Sequence, residues 1–261
     1  MWSVVSWDPA TYLRHADERS RPFVELLARV HTDARSVVDL GCGPGHLMPT
    51  LRRRWPAALL HGVDSSREMI ETAYSDGAGA EVTYELADVR HWAPGTSVDV
   101  VVSNATLQWV PDHLPLLARW QGWLAPGGAV ALAVPGNFSE PSHVLLRELA
   151  GREPYAAATA EVERPEAHDA ATYLDVLAGP GWRVDAWETT YLHVLQGPDP
   201  VLSWISGTGA RPVLQALPDR LLREQFLAEY GAALRAAYPA RPFGTVLPFR
   251  RVFAVATRDA S

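Results

Sequence analysis

The sequence predicts an α/β fold: a doubly wound, mainly parallel seven-stranded sheet that carries a helical cap. Three observations predict it. Over residues 36–134, short apolar β-branched runs alternate with stretches of helical periodicity. Those runs are apolar at nearly every position, as strands buried on both faces of a parallel sheet are. Beyond residue 134 the alternation stops, and two longer strands follow with some fifty helical residues between them.

Taken in order, residues 1–35 form an N-terminal helical lid, with helices expected near 9–15 and 20–30. The core, 36–138, holds five strands: Val37-Val38, Leu59 to Val63, Val82 to Leu86, Val98 to Val102 and Ala129 to Val134. Helices are expected between them at 46–54, 66–75 and 105–123, and right-handed crossovers follow from that alternation. A helical connection, 139–181, carries helices at 139–150 and 170–178. The sixth strand, 182–195, alternates Trp182, Val184 and Ala186 against Arg183 and Asp185. The seventh, 246–257, closes the sheet. Residues 196–245, with helices at 199–207, 212–217 and 218–238, are too long for a turn between paired strands and form a cap insertion.

Composition narrows the chemistry. All 23 basic residues are arginine and none is lysine. A phosphate loop of the Walker type, a protein kinase, a pyridoxal enzyme and a Schiff-base aldolase each need a lysine, so all are excluded. The net charge of −7, without any basic run, disfavours nucleic acid as a partner. One cysteine, Cys42, allows no intrachain disulfide, and no two histidines stand three to five residues apart, so no metal site is expected. The charge-free run Gln121 to Ser139 is broken by Pro126-Gly127-Gly128 and by Pro135-Gly136, which makes it a strand between turns and not a membrane span. The opening MWSVVSWDPA lacks the features of a secretory segment, so a cytoplasmic protein is expected, a monomer or a weak homo-oligomer.

The strongest local signal is VVDLGCGPG, residues 37–45, a strand running through Gly41, Gly43 and Gly45 into a helix. Glycines there permit a tight turn and close approach of backbone to a ligand. A dinucleotide fingerprint would need its third glycine at position 46, which is His46. With Asp39 ahead of the loop, the pattern is D-x-G-x-G-x-G. Asp64 ends the second strand, Asp88 follows the third in LADVR, and LAPGG occupies 124–128 before the fifth.

In these four segments together the chain resembles class I methyltransferases that use S-adenosylmethionine, whose sheet is Rossmann-like. WDPATYLRHADERSRP (7–22), SNATLQWVPDH (103–113) and WISGTGARPVL (204–214) are similar to the trans-aconitate 2-methyltransferase branch of that family, over nearly the whole chain. The resemblance implies S-adenosylmethionine as cofactor, S-adenosylhomocysteine as product, and a small tricarboxylate as substrate, esterified on one carboxylate. It places Asp39, Gly41, Gly43, Gly45, Asp64, Ser65, Asp88, Val89 and Asn104 around the cofactor, with Tyr12 and Arg21 closing from the lid. Asp64 would accept from the ribose hydroxyls, a role suited to an acceptor-only carboxylate.

A carboxylate is already deprotonated at pH 7, so no catalytic acid or base is expected, and catalysis rests on positioning and exclusion of water. The cations that hold the acid can only be arginine or protonated histidine. Arg211 in the cap and Arg251 on the last strand are the expected carboxylate partners, since a guanidinium fork grips a carboxylate through two hydrogen bonds. Arg250 should face the opposite way. Gln108, Trp109, Trp204 and His193 complete the expected substrate residues, although tryptophans and a partly buried histidine serve equally well as core. Two other functions stay open: methylation of another acid such as a malonyl thioester, and cofactor binding without turnover. Nucleic-acid methylation is further disfavoured because SNAT stands where amino-methylating enzymes carry an N/D-P-P-Y type sequence.

Overall fold

The computed structural model describes residues 16–75, 82–163 and 165–260, with side chains from residue 21 onward. In chain order the elements are α1 (Ala16–Ala28), β1 (Ser36–Leu40), α2 (Met48–Arg54), β2 (Leu59–Asp64), α3 (Arg67–Ser75), β3 (Val82–Leu86), β4 (Val98–Asn104), a 3-10 turn (Leu107–Trp109), α4 (Leu114–Gly122) and β5 (Leu124–Pro135). There follow α5 (Pro141–Ala150), α6 (Ala156–Thr159), α7 (Ala170–Leu177), β6 (Trp182–Leu195), α8 (Pro200–Ser206), α9 (Arg211–Ala216), α10 (Arg220–Ala237), β7 (Ala240–Arg241) and β8 (Gly244–Arg258). The expected helix at 9–15 lies outside the described residues.

The strand order is β3-β2-β1-β4-β5-β8-β6, with the two-residue β7 paired to β8. This is the expected sheet plus one strand too short for any periodicity to reveal. Pairs β1–β2, β2–β3, β1–β4 and β4–β5 are parallel. β8 runs antiparallel to β5, with Arg251 opposite Pro135. The order reverses between β1 and β4, so the loops leaving their carboxyl ends diverge and open a crevice, the usual ligand position of open α/β sheets.

The chain forms two compact units. The core unit takes in the described residues of 16–135, 167–189 and 251–260. The second unit takes in those of 136–166 and 190–250. β6 and β8 therefore each pass from one unit to the other. In the core unit, Val38, Val101, Val130 and Leu132 of the central strands pack with Trp120 of α4 and with Tyr173 and Leu177 of α7. Each of the aliphatic side chains among them contributes about 1.5–3 kcal/mol on burial. The second unit has its own apolar centre, where Phe226, Tyr230 and Leu234 of α10 meet Leu146 of α5 and Trp204 and Ile205 of α8.

One expected element is corrected. The helix read over 105–123 is a 3-10 turn, a break, and then α4. Val110 is extended (φ −108°, ψ 104°) ahead of Pro111. Proline disfavours a helical residue before it and brings no N–H of its own, so the helix must restart. Asp112 turns the chain with φ +50°.

Candidate active site

The glycine loop is shaped by hydrogen bonds to the neighbouring strand. Gly41 and Cys42 both donate their N–H to the Val63 carbonyl, at 2.7 and 3.1 Å. Gly41, Gly43 and Gly45 adopt φ of +82°, +56° and +76°. Space decides their separate roles. A Cβ on Gly41 would lie 1.9 Å from Thr106 Oγ1, and one on Gly45 would lie 2.5 Å from the Tyr84 hydroxyl. Around Gly43 nothing stands within 4 Å of that position, so the tip of the loop leaves its backbone open to a ligand.

Two carboxylates flank the loop. Asp64 Oδ2 accepts from Gly43 N at 2.9 Å and Oδ1 from Ser66 N at 2.8 Å, which ties the tip of the loop to the end of β2. Burial raises the Asp64 carboxyl, while the backbone N–H groups of Ser66, Gly43 and Ser65 oppose that rise. Asp39, deep at the end of β1, is pushed up to about 7 by burial first and by the Asp64 charge second. Ser65 is exposed beside Asp64.

The 103–108 segment is laced to the same loop. Ser103 Oγ donates to Leu40 O at 2.8 Å and Thr106 Oγ1 to Gly41 O at 3.3 Å. Ala105 between them holds φ +56°, a conformation that costs a non-glycine residue about 1–2 kcal/mol. Gln108 Nε2 donates back to Ala105 O at 2.6 Å. Two acceptors are left over: Asn104 Oδ1 and Gln108 Oε1 are buried with no hydrogen-bond partner among the described residues. Open backbone at Gly43, an acidic pair and two buried acceptors suit a ligand that brings hydroxyls and positive charge, which S-adenosylmethionine does.

The remaining expected residues fall as follows. Asp88 receives Arg90 Nε at 3.0 and 2.9 Å on its two oxygens and Arg90 N at 2.9 Å, and the Arg90 side chain lowers its carboxyl. Its capacity to accept is therefore partly spent, while Val89 beside it is buried. Arg21, on the first turns of α1, pairs with Glu25 at 2.8 Å on an exposed face. Tyr12 lies outside the described residues. Trp109 ends the 3-10 turn, half-buried. Arg251 is buried in β8 of the core unit. Arg250, in the second unit, donates through Nε to Gly136 O at 2.7 Å.

The second unit holds Arg211, Trp204 and His193. Arg211 is the first residue of α9. His193 and Trp204 are brought together, their ring centroids 4.7 Å apart, with Phe249 against both. Sequence reasoning missed three polar residues of this unit, Asn137, Ser142 and His143, all buried after β5.

Among the described residues, no group of three or more His, Cys, Asp or Glu side chains stands where it could hold a metal ion. Nor is any helix among them long and apolar enough to cross a membrane.

Comparison with known proteins agrees with this geometry. Residues 37–128 match a family described as a methyltransferase domain. The chain is 50% identical to a trans-aconitate 2-methyltransferase of Streptomyces avermitilis, covering 99% of each chain. It is also 50% identical to one of Mycolicibacterium gilvum, over 96% of this chain and 98% of the other. Among solved structures, an S-adenosylmethionine-dependent methyltransferase from Mesorhizobium loti superposes with a TM-score of 0.54 at 19% identity, over 93% of this chain and 99% of that one. The last is a likeness of fold.

Proposed function

Because the chain belongs to the trans-aconitate 2-methyltransferase family, S-adenosylmethionine-dependent enzymes, we propose that it esterifies one carboxylate of trans-aconitate. The observation that carries this reading is half identity over the full length, second unit included, to relatives of that name. A methyltransferase fold alone would leave the acceptor open, but the likeness extends through the segments that hold Arg211, Trp204 and His193.

When bound, S-adenosylmethionine supplies a methyl on a positively charged sulfur, which passes to a carboxylate oxygen to give a methyl ester and S-adenosylhomocysteine. The chain's own part is to bind, orient and exclude water. Gly41, Gly43 and Gly45 keep the backbone bare where the cofactor approaches, Asp64 and Ser65 take its hydroxyls, and Asp88 and Val89 its base. Asp39 and Asn104 answer its positive charge, with Tyr12 and Arg21 on the lid side. Arg211 and Arg251 are the carboxylate partners in this reading, with Gln108, Trp109, Trp204 and His193 as the other substrate residues. A carboxylate needs no base at pH 7, so none of these groups has to move a proton. We place the enzyme in the cytoplasm, as a monomer or weak homo-oligomer.

The test is a radiolabelled methyl-transfer screen across the aconitate isomers, citrate, isocitrate and malonyl thioesters. Labelled monomethyl ester should form from trans-aconitate in preference to the others. Preference for a malonyl thioester would reassign the substrate, and cofactor binding without any labelled product would overturn the activity.

A further inference from the structure

We infer that Arg90 is a positioning residue for the cofactor's adenine: its guanidinium holds the Asp88 carboxylate in the orientation that receives the 6-amino group, and so makes the site selective for a 6-aminopurine. The inference rests on the reading above, in which Asp88 and Val89 take the base, and adds a residue that this reading did not use. Every residue in it belongs to the core unit.

The first observation is how the chain supports Asp88. This residue stands two places beyond β3, and no helix intervenes before β4. Asp64 lies opposite Leu86 in the β2–β3 register, and Ala87 N donates to Asp64 O at 3.0 Å. The segments carrying the two carboxylates therefore leave the same end of neighbouring strands, as suits a base joined directly to its ribose. His91 N and Trp92 N both donate to Asp88 O at 2.9 Å, which closes the turn. From α4, Arg119 donates through Nη1 to Arg90 O and through Nη2 to Trp92 O. The backbone beneath Asp88 and Arg90 is thus fixed by its own turn and by the neighbouring helix.

The second observation is the pairing itself. Arg90 Nε donates to Asp88 Oδ1 at 3.0 Å and to Oδ2 at 2.9 Å, while Nη2 donates to Oδ2 and Arg90 N to Oδ1. A guanidinium set against both oxygens fixes the plane of a carboxylate as well as its place. The Arg90 and Asp88 side chains are 33% and 32% exposed, so the pair contributes little to stability and a ligand can still reach the carboxylate. An exposed aspartate left to itself turns about its side-chain torsions, and ordering it would weigh against binding.

Chemistry decides what Asp88 accepts. The hydrogen bond from Arg90 lowers its carboxyl, with partial burial opposing that effect. At pH 7 it is a carboxylate, an acceptor with about four lone-pair positions. Arg90 brings three N–H groups to them, N, Nε and Nη2, which leaves room for one further donor. Adenine offers an amino N–H at position 6, whereas a 6-oxo purine presents an acceptor there that a carboxylate repels.

The test is calorimetric titration with S-adenosylhomocysteine and with its analogue in which hydrogen replaces the 6-amino group. Arg90→Gln should weaken S-adenosylhomocysteine roughly 3- to 10-fold, the scale of one hydrogen bond, and leave the analogue within about twofold of its native affinity. Because the pair is exposed, this variant should fold with nearly native Tm. Arg90→Lys keeps the charge without the fork and should fall between the two. Asp88→Ala should remove the native preference for the amino-bearing ligand. Equal weakening of both ligands by Arg90→Gln would make the arginine a support of the turn and overturn the inference. Unchanged binding of S-adenosylhomocysteine would overturn it as well, and tighter binding would show Arg90 to compete with the base. If Asp88→Ala keeps the native preference, the placement of the base falls together with the inference while methyl transfer stands. A native protein that binds no S-adenosylhomocysteine would bring down the methyl-transfer reading itself.

Discussion

Asp39 carries the clearest pH signature at the scale of single residues. Burial pushes its carboxyl up to about 7, so the folded apoprotein prefers it protonated. Its contribution to stability is therefore complete below the usual carboxylate value and is lost as pH rises through about 7. A bound cation has the opposite preference and favours the carboxylate. Affinity for S-adenosylmethionine should accordingly strengthen between about pH 6 and pH 8, and Asp39→Asn should flatten that dependence, as calorimetric titration across the range would show. A flat profile in the native protein would remove Asp39 from the cofactor. Asp64 differs in that its oxygens already receive Gly43 N and Ser66 N. Asp64→Ala removes these bonds along with any to the ligand, and at about 1.5–3 kcal/mol for each charge-assisted bond it should weaken cofactor binding at least 10-fold. Unchanged affinity in that variant would refute its placement.

Within the glycine loop, conformation and space make separable demands. Gly41→Ala meets both a positive φ and a Cβ position 1.9 Å from Thr106 Oγ1. Gly43→Ala meets only the positive φ, at about 1–2 kcal/mol, and adds its methyl to open space. Thermal denaturation should therefore show the larger loss of Tm for Gly41→Ala. Gly43→Ala should stay folded and lose cofactor affinity, because its methyl occupies the space a ligand would use. The same loop shows what could be read from sequence. VVDLGCGPG announces its strand, turn and helix by residue type alone, since positive φ selects glycine and a buried parallel strand selects β-branched residues. The break at Val110-Pro111 was also written in the sequence, but the apolar periodicity on either side outweighed one proline. Asn137, Ser142 and His143 were not legible. The helix expected over 139–150 covers Ser142 and His143 without telling that they are buried; that comes from packing, with Tyr230 of α10 and Tyr238 just beyond it bonded to the Ser142 backbone.

For the molecule as a whole, the composition makes a chemical prediction that no single residue could. With 23 arginines and no lysine, the described chain offers no ε-amino group to an acylating reagent, and every strong cation is a guanidinium. Two of these, Arg251 in β8 and Arg211 at the start of α9, are the proposed partners of the acid's carboxylates. A guanidinium bound to a carboxylate through both its N–H edges is shielded from a dicarbonyl reagent such as phenylglyoxal, which attacks those nitrogens. Phenylglyoxal should therefore inactivate the enzyme, and trans-aconitate should protect it where S-adenosylmethionine alone protects less. An amine-directed reagent should leave activity largely in place. The arginines responsible are then found by substitution: Arg251→Ala and Arg211→Ala should each raise KM for the acid roughly 10- to 100-fold with cofactor affinity intact, since each removes a charge-assisted contact. Arg250 provides the contrast. Its Nε is committed to the Gly136 carbonyl, so Arg250→Ala should lower Tm more than it raises KM. Native KM in both Arg211→Ala and Arg251→Ala would mean that the acid is held by other groups, and the absence of protection by trans-aconitate would say the same of the arginines collectively.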